Sequence, residues 1–349
     1  MVKENMPIQS KKKQTKSKMW IWIPGMIVVI ALAGVIGYIF QDIKSGEMET
    51  QETDVTIGYS ILRISLPVFA AYENGYFEEE GLNVKLERFE TAQPLMEALV
   101  TGFVDIAGYT ALPITYNCML NSNKELYFVT ALMEDQDHLI SYFLVPVDAP
   151  KGIRIPDLKG KKIGILPTVA YEKWLEVILK ENGLNPEDVK IVPVAPTMQP
   201  TALRAGVVDA LFTNDPAATT AIQDGIARKI TDEALVPKHL GEPFIFGSFN
   251  IDKTYADNHP ETVEKVARAL NKAVQFVNEN PAKARQTMKI FVHESQEDYV
   301  EFYPDAYYKK TTEVTEKDFQ KMADQYLEIG IMPSKLVLRE LLYIPIIRE

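Results

Sequence analysis

The sequence has few of the residues that most often carry out catalysis or bind metal ions. Among its 349 residues are one cysteine, Cys118, and four histidines. No Gly-x-Ser-x-Gly elbow, phosphate-binding glycine loop or His-Glu-x-x-His motif occurs. A single cysteine excludes an internal disulfide and any metal site built from several thiolates. We therefore expect no catalytic residue, no metal and no cofactor, and we expect Cys118 to be an inert, buried thiol.

The part of the chain after residue 45 also lacks the positive charge that binds nucleic acid. The net charge of the chain is −11, while residues 1–45 hold seven lysines against Glu4 and Asp42, a charge of +5, which leaves −16 for the rest. Because phosphate binding needs a basic face, a nucleic-acid partner is excluded. With 46% hydrophobic and 24% charged residues, the length fits a folded protein of two lobes.

One uncharged run near the amino terminus predicts contact with a membrane. Residues 19–40 hold no charge over 22 residues, about the length of a membrane-crossing helix. The lysine-rich tail 1–18 precedes them and keeps the amino terminus cytoplasmic, so residues after a linker at 41–53 lie outside the cytoplasm. The run is either an uncleaved single-pass anchor in the cell membrane or a signal cleaved near Ala31–Ala33, which would release a secreted protein. Val35 stands where a lipoprotein would have its acylated cysteine.

An internal repeat organises the middle of the chain. Three short patterns recur in the same order at offsets of 106, 102 and 104 residues. They are Val55–Gly58 with Lys161–Gly164, Gly81–Leu86 with Gly183–Ile191, and Ala98–Asp105 with Ala202–Asp209. Each copy has the pattern strand, helix, strand, helix, strand, which requires a parallel sheet with right-handed crossovers. The sequence therefore predicts an α/β protein with two βαβαβ lobes joined by a hinge.

The remaining segments indicate how the lobes connect. Two extended apolar runs, 139–147 and 242–251, join the copies to each other and to a helical tail with predicted helices at 260–280, 282–292, 296–307 and 315–329. A chain that leaves one lobe, builds the second and returns needs two such connectors. We predict that residues 54–143 and 248–349 form lobe one and that residues 144–247 form lobe two.

The topology selects a candidate binding site without a catalytic motif. In parallel sheets, ligands lie beyond the carboxyl ends of the strands, near helix amino termini. This rule selects the loops at residues 60–63, 108–110, 167–169 and 214–216, which we expect to face one another across a cleft. The candidate ligand-binding residues in and beside these loops are Ser60, Leu62, Arg63, Gly108, Tyr109, Thr110, Thr168, Val169, Tyr171, Asn214 and Asp215.

The two charged candidates each have two interpretations. Arg63 either grips a carboxylate, sulfonate or other oxyanion of a ligand, or it is a surface residue that pairs with Glu73 or Glu90. Asp215 either receives an amine or cationic ring, or it caps a turn before Pro216.

Three uncharged candidates also have two interpretations each. Thr168 either donates to a ligand or caps the helix that follows it. Tyr109 and Tyr171 either stack on a planar ligand or pack in the core.

One acidic stretch, Glu134–His138, invites comparison with a metal site. Three carboxylates and a histidine lie within five residues. Because no second histidine or cysteine stands at ligand spacing, we interpret the stretch as a solvated turn.

Four segments resemble a known family. Leu66–Phe77, Glu80–Val84, Asp157–Gly164 and Ala202–Asp215 resemble the substrate-binding proteins for sulfonates, taurine, nitrate and thiamine-pyrimidine precursors, the NMT1/THI5-like family. The resemblance spans residues 54 to about 300. It implies a type II periplasmic-binding fold that closes on a small solute and delivers it to the permease of an ABC importer, with a soluble part that is monomeric.

The resemblance also implies which residues contact the ligand and which other functions compete. The family's ligand loops match Ser60, Leu62, Thr110, Thr168 and Asp215, whereas Asn214 departs from the aromatic residue that sulfonate binders often show. One alternative is a sensor that signals through the membrane helix. Another is an enzyme on the same fold, related to pyrimidine synthases with a cysteine-rich iron motif, for which this chain has only Cys118.

Overall fold

A computed structural model describes residues 53–343. The predicted basic tail 1–18, the membrane segment 19–40 and nearly all of the linker 41–53 lie outside the described residues. Among residues 53–343, no helix is both long and apolar enough to cross a membrane. The described chain groups into one compact unit that contains two β-sheets.

The first sheet has six strands in the order β11-β4-β10-β3-β1-β2. β1 pairs in parallel with β2 and β3, and the other three strands are antiparallel to their neighbours. Its strands are β1 (Thr53–Ser60), β2 (Leu82–Phe89), β3 (Ile106–Ala111), β4 (Leu126–Glu134), β10 (Phe244–Asp252) and β11 (Tyr307–Lys310).

The second sheet repeats this arrangement with five strands in the order β7-β6-β8-β5-β9. Its parallel part, β7-β6-β8, has the same order of second, first and third strand as β2-β1-β3, and an antiparallel strand again lies beside the third. Its strands are β5 (Ser141–Pro146), β6 (Lys162–Ile165), β7 (Lys190–Pro193), β8 (Ala210–Asn214) and β9 (Ala227–Lys229). The predicted α/β class with two repeated units is confirmed.

The repeated Gly-x-Val-Asp pattern has the same structural role in both sheets. Asp105 Oδ2 accepts the backbone N–H of Thr56 at 2.7 Å, and Asp209 Oδ2 accepts that of Lys162 at 2.8 Å. Each aspartate therefore holds the third strand of its copy against the first, at the amino ends of the strands. The valine before each aspartate is buried, which anchors the turn in the core. The repeated sequence pattern thus corresponds to an equivalent hydrogen bond between the third and first strands of each copy.

Twelve α-helices of the described chain cover the sheets. Most begin and end where proline, threonine and glycine predict: Pro67 lies in the first turn of α1, Thr168 caps α5, and Gly102 takes the left-handed conformation after α3. They are α1 (Leu66–Glu73), α2 (Tyr76–Glu79), α3 (Ala92–Thr101), α4 (Leu112–Ser122), α5 (Val169–Glu181), α6 (Gln199–Arg204), α7 (Ala217–Gln223), α8 (Leu235–Leu240), α9 (Lys253–Asn258), α10 (Pro260–Glu279), α11 (Pro281–Gln286) and α12 (Glu316–Glu328).

The tail is less helical than the sequence predicts. The apolar stripe of α10, from Val263 to Val277, is fully buried and packs against α1, as its spacing indicates. The predicted helix at 296–307 is wrong: residues Glu294–Phe302 form a 3₁₀ helix, and the chain then enters β11 beside β4. The helix predicted at 282–292 ends at Gln286. Pairing with β4, whose partner residues lie 174 to 180 positions away along the chain, outweighs the local preference of this segment.

The two predicted connectors are strands that enter the sheets. Residues 139–147 contain β5, which lies in the second sheet, and residues 242–251 contain most of β10, which lies in the first. The chain therefore changes sheet between Glu134 and Ser141 and returns between Lys229 and Phe244. The lobe boundaries at 143/144 and 247/248 stay a prediction.

Candidate functional site

A cavity of about 290 Å³ lies where the carboxyl ends of β1, β3, β6 and β8 come together. All four loops selected from the sequence contribute to its wall, two from each sheet. Ligand cavities in α/β proteins occupy this position because helix amino termini and strand ends converge there.

Eight of the eleven candidate residues line this cavity. Both sheets contribute, so a solute held here would touch both halves of the molecule. The eight residues are Ser60, Leu62, Arg63, Thr110, Thr168, Tyr171, Asn214 and Asp215.

The other three candidates lie away from the cavity wall. Tyr109 is fully buried, hydrogen-bonds to Thr130 and packs edge-on against Phe249, so core packing is its role. Gly108 lies within β3, where a Cβ would come within 2.7 Å of a neighbouring carbonyl oxygen. Val169 is the first residue of α5 and is 53% exposed.

Arg63 is buried and held by protein acceptors from three distant segments. Its Nη1 donates to the carbonyl oxygen of Pro304 at 2.7 Å, and its Nη2 donates to that of Leu139 at 2.8 Å. Nη2 also lies 3.5 Å from Asp215 Oδ2, an ion pair in which both side chains are nearly inaccessible to solvent. Burial opposes the charge of Arg63, but Tyr142 and Asp215 hold its pKa above the ordinary value. The guanidinium thus joins the first half of the molecule to the second.

The alternative of a surface arginine is wrong. Arg63 is 6% exposed and contacts neither Glu73 nor Glu90. Glu90 instead pairs with Arg88 and His293, which lowers the pKa of Glu90 although partial burial opposes this. The partners of Arg63 are not evident from the sequence because they lie 76 to 242 residues away from it along the chain.

Asp215 caps a helix with one oxygen and faces Arg63 with the other. Oδ1 accepts the Thr219 hydroxyl at 2.6 Å and the Thr219 backbone N–H at 3.1 Å, in the first turn of α7. Oδ2 accepts no hydrogen bond from any described residue. The capping interpretation is therefore correct for Oδ1, and Oδ2 remains available beside the ion pair.

Two threonine hydroxyl groups of the cavity wall, those of Thr110 and Thr168, are already engaged within the protein. Thr110 Oγ1 lies 2.7 Å from Thr115 Oγ1 and accepts the Asn250 amide at 2.8 Å. Thr168 Oγ1 accepts the backbone N–H of Tyr171 at 3.2 Å, which is the N-cap interaction. These hydroxyl groups shape the wall more than they offer free hydrogen bonds.

An aromatic surface forms one side of the cavity. The rings of Tyr171 and Trp174 lie 5.2 Å apart, and Phe246 adjoins Trp174 at 5.9 Å. Burial raises the pKa of Tyr171, so its hydroxyl stays neutral; this hydroxyl lies beside Ser141 and Asn214 but makes no hydrogen bond of standard geometry to a described residue. Trp174 Nε1 is likewise buried without a described hydrogen-bond partner.

Sequence reasoning missed several residues of the wall, and some were within its reach. Trp174 lies one turn after Tyr171 on α5, and Thr91–Gln93 and Pro196 follow the carboxyl ends of β2 and β7. The rule applied to the other two strand ends of the repeat selects these loops too. Tyr308 also lines the wall, and only the fold of the tail brings it there.

Glu134 ends β4 at the point where the chain leaves the first sheet. It is 1% exposed, and Oε1 accepts the backbone N–H groups of Ile140 at 3.2 Å and Ser141 at 2.8 Å. Burial raises its pKa to about 7, although these hydrogen bonds act in the opposite direction. The solvated-turn interpretation is therefore wrong for Glu134. It is correct for the rest of the stretch, where Asp135 Oδ1 accepts the backbone N–H of His138 at 2.9 Å.

Two further expectations from the sequence concern metal binding and the thiol of Cys118. Among residues 53–343, no three histidine, cysteine, aspartate or glutamate side chains converge as metal ligands. Cys118 is only partly buried on α4, which corrects the expectation of a fully buried thiol, and burial raises its pKa. A raised pKa keeps the thiol protonated and unreactive.

Comparison with solved structures defines the class of fold. The periplasmic aliphatic sulphonate binding protein SsuA of Escherichia coli superposes with a TM-score of 0.66 at 18% identity, over 83% of this chain and 97% of that one. The periplasmic nitrate-binding protein NrtA of Synechocystis gives 0.60 at 14% identity, over 81% and 83%. The chain therefore has the periplasmic-binding-protein fold.

Comparison of sequences then gives the family. The taurine-binding periplasmic protein of Escherichia coli is 26% identical over 236 residues, which cover 67% of this chain and 69% of that protein. A 4-amino-5-hydroxymethyl-2-methylpyrimidine phosphate synthase of Saccharomyces cerevisiae is 22% identical over 313 residues, 83% and 86% of the two chains. The profile of the NMT1-like family matches residues 48–292. The chain belongs to the NMT1-like family, and the resemblance noted in its sequence is confirmed.

Proposed function

We propose that the protein is the extracytoplasmic solute-binding component of an ABC importer. It captures a small solute in the cavity between the two sheets and delivers it to permease subunits in the membrane. The sulfonate, taurine and nitrate binders among its relatives support this class of function.

One observation carries the proposal: the cavity wall is drawn from both sheets, at the strand ends where the repeat predicts a cleft. A solute that contacts both halves favours the closed arrangement over an open one by its difference in affinity for the two. Arg63 and Asp215 pair across the same cleft, which is a contact that a closed arrangement makes. A permease that recognises the closed form would then distinguish loaded from empty protein.

The proposal includes a location outside the cytoplasm. Residues 19–40, outside the described part of the chain, supply the anchor or the cleaved signal that the sequence predicts. The periplasmic relatives support export. The binding unit acts as a monomer beside its permease.

The proposal also treats the protein as a binder and not as an enzyme. The synthases of Saccharomyces cerevisiae show that the matched sequences include enzymes. In this chain the cavity wall holds no cysteine or histidine among the described residues, and Cys118 does not line it. The groups present suit contact and hydrogen bonding better than bond-making.

The test is whether the full chain, purified in detergent, binds a small molecule in this cavity. Native mass spectrometry should reveal a co-purified solute, or a panel of sulfonates, nitrate and pyrimidines should raise the melting temperature. A solute at a hundredfold excess over its dissociation constant stabilises the folded state by about 2.7 kcal/mol. No solute, and no shift from any member of a broad panel, would contradict the proposal.

A pair of tryptophan substitutions locates the binding. Ile114 lines the cavity, so Ile114→Trp should fill it and abolish the thermal shift. Ile290 is 69% exposed and does not line it, so Ile290→Trp is the matched control and should leave the shift unchanged. Equal shifts in both variants would place the solute elsewhere.

A further inference from the structure

The charges of the cavity wall are balanced before any solute enters. Among the described residues that line it, Arg63 is the single cationic side chain and Asp215 the single anionic one. They pair with each other at 3.5 Å. The wall therefore offers no net positive charge to an anion.

Arg63 also has its donors directed elsewhere. Its two Nη atoms reach the carbonyl oxygens of Pro304 and Leu139 as well as Asp215. An anion could recruit Arg63 only by breaking these contacts and by leaving the Asp215 carboxylate buried without its counter-charge, which is strongly unfavourable. The start of α5 is capped by Thr168, whose oxygens accept the backbone N–H groups of Tyr171 and Glu172, both at 3.2 Å.

What the wall does offer is apolar surface and a few unused polar atoms. Most lining side chains are aliphatic or aromatic. Three buried polar atoms on wall residues lack a hydrogen bond to any described residue: Asp215 Oδ2, which faces Arg63 at 3.5 Å and can only accept, Trp174 Nε1, which can only donate, and the Tyr171 hydroxyl, which can do both. Buried polar groups of this kind are normally satisfied, and a solute in the cavity is the natural partner. The large apolar wall residues include Ile114, Leu132, Ile140, Leu166, Trp174 and Phe246.

We propose that this site takes an uncharged, largely apolar, flat solute that donates one hydrogen bond and accepts another, and that it discriminates against sulfonates, carboxylates and nitrate. The solute's donor meets Asp215 Oδ2, and its acceptor meets Trp174 Nε1. The tilted aromatic rings of Tyr171, Trp174 and Phe246 give the wall an aromatic surface that favours a planar ring. A cavity of about 290 Å³ suits a small ring system. This inference rests on the proposed function and sharpens it, because the same cavity serves both.

Benzamide and benzoate provide a matched test, since they have the same shape and differ in charge. Isothermal titration of the full chain in detergent, to millimolar concentration, should give benzamide a dissociation constant at least tenfold lower than that of benzoate or benzenesulfonate. Tighter binding of either anion would overturn this inference while leaving solute capture intact. Absence of binding by all three, together with no shift from the broader panel, would contradict both proposals.

Two substitutions test the named contacts. Asp215→Asn frees the charge of Arg63, so the preference for benzamide over benzoate should shrink at least tenfold or invert. Asp232 is an exposed partner of Lys229, and Asp232→Asn is the control that should change nothing. If Asp215→Asn does not fold, Trp174→Phe keeps an aromatic ring but removes the N–H donor and part of the indole, and it should weaken benzamide about fivefold more than benzoate. An unchanged preference in whichever variant folds would overturn the assignment.

Discussion

The two ends of the repeated strands differ in how closely the halves of the molecule match. At the amino ends, Asp105 and Asp209 make the same hydrogen bond to the first strand of their copy, at 2.7 and 2.8 Å. At the carboxyl ends the copies diverge: one supplies a buried arginine and the other a buried aspartate. The comparison teaches that the repeat preserves what assembles each sheet, whereas the cleft between the sheets is built from the differences.

The largest expected effect comes from breaking the carboxyl-end pair. Arg63→Met leaves the Asp215 carboxylate and two carbonyl oxygens buried without a donor, and we expect the free energy of unfolding to fall by about 3–5 kcal/mol. Urea denaturation of the full chain measures it. Lys229→Met, which breaks a largely exposed pair with Asp232 inside one half, is the control and should cost no more than about 1 kcal/mol. Similar losses of unfolding free energy in the two variants would show that the buried Arg63–Asp215 pair contributes no more to stability than a largely exposed pair does.

A second prediction concerns Glu134, the buried carboxyl group at the exit from the first sheet. Its pKa is about 7 when folded, against 4.5 as the reference value, so the folded protein holds a proton that the unfolded chain loses. The proton on Glu134 stabilises the folded state fully below pH 4.5. This stabilisation, about 3 kcal/mol at most, is lost as the pH rises through 7. Glu134→Gln retains an acceptor for Ser141 and cannot ionise.

The pH dependence of unfolding in the two proteins tests this assignment. Between pH 5 and 8, the parent protein should lose about 2–3 kcal/mol more than Glu134→Gln does, because all other titrating groups are shared. Parallel curves would mean that Glu134 stays ionised when folded.

The smallest effect sharpens the comparison at the amino ends. Asp105→Ala and Asp209→Ala each remove one partly exposed hydrogen bond from the same position of the repeat, and each should lower the free energy of unfolding by about 1 kcal/mol. Solute affinity should be unaffected in both, since neither residue lines the cavity. A large difference between the two losses would contradict the equivalence of the halves.

Much of the fold could be predicted because its signals are local and repeated. Residues close together in the sequence determine the apolar stripe of α10, the glycine after α3 and the Thr168 cap. β11 could not be predicted in this way, because its strand pairing depends on an edge of β4 that the tail meets only after folding. Propensity is a weak guide where tertiary pairing decides.

The candidate site likewise has residues that the sequence predicts and residues whose role it does not reveal. Strand-end topology brought eight of eleven residues to one cavity. It failed for Tyr109, whose side chain points from β3 into the aromatic core, because alternation along a buried strand does not reveal which face meets the cleft. It also left the role of Arg63 open, since an arginine in a loop looks the same whether its partner is solvent, solute or a distant carboxylate.

Local sequence patterns are enough to predict two similar α/β units, the succession of strands and helices along each unit, and the strand ends at which a site would form. Hydrophobic periodicity, turn residues and the repeat carry that information within short windows. The pairing of Arg63 with Asp215 and the burial of Glu134 where the chain passes between the sheets follow from the tertiary structure. Charge balance and desolvation depend on groups far apart in the chain, so they have no local signature.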